Sequence, residues 1–172
     1  MSFSDALAVL LKEEGGFVND PHDPGGMTNL GVTAKTWAEY TGRPATEAVM
    51  RGLTQVAVAP LYKSRYWDKV AGDQLGDALG LMVFDFAVNA GPGRAAKMLQ
   101  KIVLAIPDGQ IGRGTLQAVQ AYSMRKGIDA LIEAYADARR DYYRALPTFW
   151  RFGKGWLARV KRVEDAALAL LK

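Results

Sequence analysis

The chain is expected to fold as a mainly α domain carrying one small N-terminal β-hairpin, and three features of its sequence lead there. Apolar residues recur at helical spacing from Ala6 to Leu11, and helical signals dominate again after residue 33. Glycine, proline, asparagine and aspartate crowd into residues 15–31, so turn chemistry is concentrated in one early stretch. Cysteine is absent, which removes disulfide-stapled folds and thiolate metal sites.

Size and composition bound the rest. The 172 residues suit one domain able to bury about two-thirds of its unfolded surface. With 49% hydrophobic and 23% charged residues the chain is globular and not disordered. A formal net charge of +4 and a sequence pI near 9.3 suit an anionic partner. Cell wall, nucleic acid and acidic lipid all qualify, and charge does not choose among them.

The elements follow in order. The first helix is expected to carry Glu13 and Glu14 on its last turn and to stop at a left-handed Gly15-Gly16 cap. Phe17-Val18 and Leu30 to Thr33 are long enough for a small hairpin around the turns at Asn19-Asp20-Pro21 and Asp23-Pro24-Gly25-Gly26. Thr33, Thr46 and Thr54 are good N-caps for three short helices, the first ended by Gly42 and Pro44. Pro60 implies a kink or a late start in the third. Asp77 to Ala90 reads as a central buried helix stopped at Gly91-Pro92-Gly93, with Arg94 to Leu104 after it. Pro107-Asp108-Gly109 turns the chain, Gly112 and Gly114 allow a close reversal, Thr115 caps a helix to Tyr122, and the longest helix runs from Ile128 to Leu146. Phe149, Trp150, Phe152 and Trp156 precede a last helix from Trp156 to Leu171 and lock it to the core. Charges such as Arg139-Arg140-Asp141 and Lys161-Arg162 read as a solvated helix face.

A carboxylate at a helix end, facing a second carboxylate and a hydroxyl on a glycine-rich turn, suits bond cleavage with acid and base. The stretch EGGFVNDPHDPGGMTNLGVT resembles the signature of the glycoside hydrolase family 108 muramidases, the endolysin and secretion-activator group. Glu14, eight residues, Asp23, four residues, Thr28 is similar to the Glu…Asp…Thr triad of phage T4-type lysozymes, with the last gap one residue shorter. LYKSRYW, FDFAVNAGPGRAAKMLQ, DGQIGRGT and GWLARVKRV extend the likeness along most of the chain.

The resemblance implies a single lysozyme-like domain over 1–172, with residues 1–90 catalytic and 91–172 a helical peptidoglycan-binding-like part. It implies hydrolysis of the β-1,4 bond between N-acetylmuramic acid and N-acetylglucosamine in a cleft between the N-terminal helix-hairpin and the helical body. Glu14 would be the general acid, Asp23 the ionised partner and Thr28 the holder of a water. A general acid must be protonated at working pH, which a glutamate achieves through burial and, in smaller part, a helix C-terminus. Phe17 and Val18 are the neighbours expected to supply that burial. If a water fits between the carboxyls, they stand about 6.5–9.5 Å apart and the configuration inverts.

Each residue also has a plainer reading. Glu14 could be a solvated surface acid, with Glu13 the solvent-facing neighbour. Asp23 could be a turn former, with Asp20 its competitor for the second carboxylate. His22 reads as a surface contact, and the DPHDPGG loop lacks EF-hand spacing, so neither metal nor cofactor is expected. Asn19, Tyr66 and Asn89 are the substrate-binding candidates. Tyr62, Tyr66 and Trp67, among Lys63, Arg65 and Lys69, suit a groove wall that stacks sugars and meets wall carboxylates. Core anchoring is the better reading for Trp67. Asp85, four residues before Asn89 on an apolar helix, reads as structural and needs an arginine from the C-terminal helices. DGQIGRGT resembles a motif of peptidoglycan-binding modules, and is also simply a tight turn.

The expected partner is peptidoglycan, met as a monomer. A non-catalytic peptidoglycan-binding or secretion-assisting protein is the rival, and a nucleic-acid binder a third reading without a recognition motif. No basic n-region precedes the first apolar run and no apolar stretch reaches membrane-spanning length, so synthesis in the cytoplasm without a signal peptide is expected. Action in the periplasm or on the wall would then need a holin or an export system.

Overall fold

The computed structural model describes residues 2–19 and 26–172. They form two compact units, Ser4–Ser64 and Met1–Phe3 with Arg65–Lys172. The fold is mainly α with a small antiparallel sheet, as the sequence predicts.

In the first unit, helix α1 (Phe3–Glu13) buries Ala6, Leu7 and Leu10 along one stripe. Its end differs from expectation. Glu14 lies just beyond the last turn, and neither Gly15 nor Gly16 is among the glycines with positive φ. Strands β1 (Val18–Asn19), β2 (Met27–Asn29) and β3 (Val32–Thr33) pair antiparallel in chain order, a meander with one strand more than the expected hairpin. Leu30 is not strand but turn. Leu30 and Gly31 have φ of 50° and 72°, both positive as a type I′ hairpin turn requires. The left-handed region costs a leucine about 1–2 kcal/mol. The inner face of the sheet carries Val32, buried, and Asn29, whose Nδ2 donates to the Met50 carbonyl at 2.7 Å.

Helices α2 (Ala34–Thr41), α3 (Glu47–Arg51) and α4 (Gln55–Tyr62) start where the threonines predict. The hydroxyls of Thr33, Thr46 and Thr54 each accept from the backbone N–H three residues on, a cap contributing about 1 kcal/mol. Pro60 does not delay α4. It sits inside the helix, which passes into a π-helical turn over Lys63–Trp67.

The second unit is built on α5 (Asp77–Ala90), buried continuously from Ala78 to Ala87. A helix apolar on all sides belongs at the centre, and α5 packs against α6 (Pro92–Ile102), α8 (Ile128–Arg144) and α9 (Phe149–Ala169). Trp67 is a core residue, edge-on to Phe84 at 5.3 Å, with Nε1 donating to Asp73 at 2.9 Å. Asp85 on α5 meets Arg139 of α8 at 2.7 Å and Arg159 of α9 at 2.8 Å. Burial alone would push its carboxyl up; the two guanidinium groups outweigh that and hold it below the usual carboxylate range. Arg139 is therefore fully buried, not part of a solvated face.

Further expectations are corrected. Thr115 does not cap a helix, because α7 (Arg113–Lys126) begins two residues earlier and the Thr115 hydroxyl, buried, accepts from Gln100 Nε2 at 3.1 Å. The chain turns at Gly109, at φ 85°, as Pro107-Asp108-Gly109 predicts, while neither Gly112 nor Gly114 is among the glycines with positive φ. The longest helix is α9 with 21 residues, against 17 in α8. The aromatic cluster lies inside its first turns, because α9 begins at Phe149 and runs on through Gly153 and Gly155. Trp156 stacks on Tyr143 at 5.2 Å, but Trp150 is 84% exposed and locks nothing.

Candidate functional site

Glu14 is positioned by two things, the end of α1 and the β2–β3 turn. It is half-buried, and a Cβ placed on Gly31 would stand 3.0 Å from both its Cγ and its Oε2. The same Cβ would stand 2.6 Å from the Tyr62 hydroxyl. Gly31 is thus required twice, by its φ and by the space that the glutamate and the tyrosine occupy. The Tyr62 ring is buried on α4, and its hydroxyl donates to the Leu30 carbonyl at 2.8 Å. A carboxylate, a phenol and a turn backbone therefore meet at one point.

Tyr62 is the residue that sequence reasoning placed only as a possible groove wall. Thirty-two residues separate it from Leu30, and only its spacing on an apolar helix face could have hinted at an inward hydroxyl. Of the apolar wall expected from Phe17 and Val18, Val18 supplies no burial. Val18 is 54% exposed, and Phe17 carries the Arg51 guanidinium 4.0 Å above its ring. Glu13 is half-buried, not solvent-facing.

Thr28 is half-buried in the middle of β2, opposite Val18 on β1 and Thr33 on β3. Directly opposed residues share a face of a sheet, so Thr28 lies on the face away from Asn29 and Val32. Asn19 pairs with Met27 and so points to the other face, exposed at the strand end. The sheet does not bring Asn19 and Thr28 together on one surface. Asp20, His22 and Asp23 lie outside the described residues.

The other two candidates belong to the second unit. Tyr66 is half-buried in the π-helical turn. Asn89, near the end of α5, has its Oδ1 occupied by the Tyr143 hydroxyl, which donates to it. Its amide N–H groups are the part suited to a sugar hydroxyl or acetamide. DGQIGRGT is held by Gln100, which the sequence reading passed over. Gln100 is fully buried; Nε2 donates to Asp108 Oδ1 at 2.7 Å and the Gln110 carbonyl at 3.0 Å, and Oε1 accepts from Gly109 N–H at 2.9 Å.

Among the described residues, no group of three or more His, Cys, Asp and Glu could hold a metal ion. Among them too, no helix is long and apolar enough to cross a membrane.

A family profile described as Glycosyl hydrolase 108 matches residues 7–91, and one described as Predicted Peptidoglycan domain matches residues 94–161. Among solved structures, the chain is similar to Brucella abortus SagA, at 42% identity and a TM-score of 0.82. That likeness covers 97% of this chain and 94% of the other. No curated protein sequence matches it.

Proposed function

This chain belongs to the glycosyl hydrolase 108 family, and on that premise we propose that it is a lysozyme-type N-acetylmuramidase with Glu14 as its general acid. The coarser assignment, a glycoside hydrolase family protein with peptidoglycan as its partner, follows from the two profile matches. The finer one rests on a single observation. The Glu14 side chain is half-buried against the Gly31 turn, beside the Tyr62 hydroxyl.

A glycosidase of this kind needs one protonated carboxyl to give its proton to the leaving glycosidic oxygen. A second carboxylate activates a water or steadies the oxocarbenium charge from the far side of the ring. In this reading Asp23 is that second group, Thr28 holds the water through its hydroxyl, and the anomeric configuration inverts. Asn19, Tyr66 and Asn89 bind the glycan. The enzyme acts on the wall, and a holin or an export system carries it there.

The test is turbidity loss of permeabilised Gram-negative cells, comparing the parent with Glu14→Gln. That exchange keeps the size and hydrogen bonding of the side chain and removes the titrating proton. Lysis by the parent with new reducing ends, absent in a folded Glu14→Gln, is the expected result. Equal lysis by both proteins removes Glu14 from the role of acid. Lysis by neither, with wall capture intact, favours the non-catalytic binding protein.

A further inference from the structure

Two hollows in the second unit meet at Gly93 and together form one basic trough. The first, about 610 Å³, lies between α6 and α8, lined by Arg94, Lys97 and Lys101 with Met98, Ala138 and Tyr142. The second, also about 610 Å³, is lined by Arg65, Lys69 and Asp68 with Gly109 and Gln110. Gly93 lines both. The two walls lie close together, because a Cβ on Gly109 would lie 3.2 Å from Lys97 Cε and 3.3 Å from the Gly93 carbonyl.

The charge is arranged and not incidental. Arg94, Lys97 and Lys101 follow one another at three- and four-residue steps, which puts them on one flank of α6. Arg94 is fixed, since Nη1 donates to the Tyr142 hydroxyl at 2.6 Å and the guanidinium stands 5.1 Å over that ring. Tyr142 is itself held edge-on to Phe86 at 5.4 Å. Lys97 and Lys101 are exposed, and among the described residues neither is held in an ion pair; Lys97 feels only the exposed Asp108 carboxylate at longer range. Five cations thus line the trough against Asp68 inside it and Asp108 beside it.

A neutral glycan gives no reason for five cations. Single-stranded nucleic acid would need open aromatic faces, and the one ring in the trough is already covered by Arg94. Carboxylates strung along a flexible chain fit the charge. We propose that this trough docks the anionic peptide stems of peptidoglycan. The proposal rests on the reading of peptidoglycan as the partner, but not on hydrolysis.

The test measures co-sedimentation with purified sacculi at low ionic strength. The full chain carrying Glu14→Gln is compared with the same chain carrying Lys97→Gln and Lys101→Gln as well. Both lysines are exposed, so folding is checked simply by matching thermal melts. Losing two exposed charge contacts is expected to weaken capture roughly tenfold. Sacculi whose carboxylates have been amidated with carbodiimide and ammonia should bind both proteins equally weakly. Equal capture of intact sacculi by the two proteins overturns the proposal. So does a difference that survives amidation, or one seen with DNA or teichoic acid but not with sacculi. Hydrolysis by the parent is read separately, so an inactive parent whose capture still depends on the lysines sinks the muramidase reading alone.

Discussion

The Tyr62 hydroxyl donates to the Leu30 carbonyl at 2.8 Å, and so ties helix α4 to the turn against which Glu14 rests. Tyr62→Phe removes that bond and keeps the ring. The expected stability loss is about 1 kcal/mol. Because a small displacement of an acid from its bond can cost on the order of a hundredfold, kcat on glycan should fall by roughly ten- to a hundredfold. KM should change less than kcat, since glycan contacts elsewhere are untouched. A variant with unchanged kcat would show that the phenol is scaffolding only.

Gly31→Ala tests the same point from the other side. Its φ of 72° is unfavourable for alanine by about 1–2 kcal/mol. Its new Cβ must also displace the Tyr62 hydroxyl or the Glu14 side chain. Gly42→Ala is the control, with φ 67° and open space around it. Both variants should melt lower, and only Gly31→Ala should lose lysis. Comparable lysis by both would mean the turn does not set the position of Glu14.

How much of this was legible in the sequence depends on range. Thr33, Thr46 and Thr54 act through bonds three residues long, so their helices were readable at their starts. So was the need of Asp85 for an arginine, because an acid in an apolar helix cannot stay alone. The end of the first helix was misread because two glycines signal a cap without showing which φ they take. Arg139 was misread because one guanidinium in a charged run looks like its neighbours until the partner is known. Tyr62 was read only as a possible groove wall, and Gln100 was passed over, for a common reason. Each works through a contact with a loop, 32 residues away for Tyr62 and 8 to 15 for Gln100, and no periodicity encodes such a contact.

Asp85 predicts a pH dependence of stability. Its folded carboxyl lies below its unfolded value, near 3.9 for a free aspartate, because Arg139 and Arg159 outweigh its burial. The stabilisation is therefore complete above about pH 4 and is lost as pH falls through the lower, folded value. Asp85→Asn leaves Arg139 buried without an anionic partner and should cost about 3–5 kcal/mol at neutral pH. Urea unfolding of both proteins at pH 7, 4 and 3 checks this. The gap between them should narrow toward pH 3. Parallel losses at every pH would place the acid-sensitive group elsewhere.

Gln100 predicts a local loosening. Its amide holds Asp108, Gly109, Gln110 and Thr115 from one buried position, and only Thr115 among them is itself buried. Gln100→Leu keeps the bulk and removes every one of those bonds. The exposed partners can turn to water, so the net cost should come from the Thr115 hydroxyl and the emptied polar site, about 1–3 kcal/mol. The larger change should be in motion. Gly109 donates its N–H to Gln100 Oε1, and that amide should exchange with solvent much faster in the variant while amides of α5 stay protected. Gly109 also packs on the Lys97 stem, so capture of sacculi should weaken in the same variant. Fast exchange with unchanged capture would separate the loop from the trough.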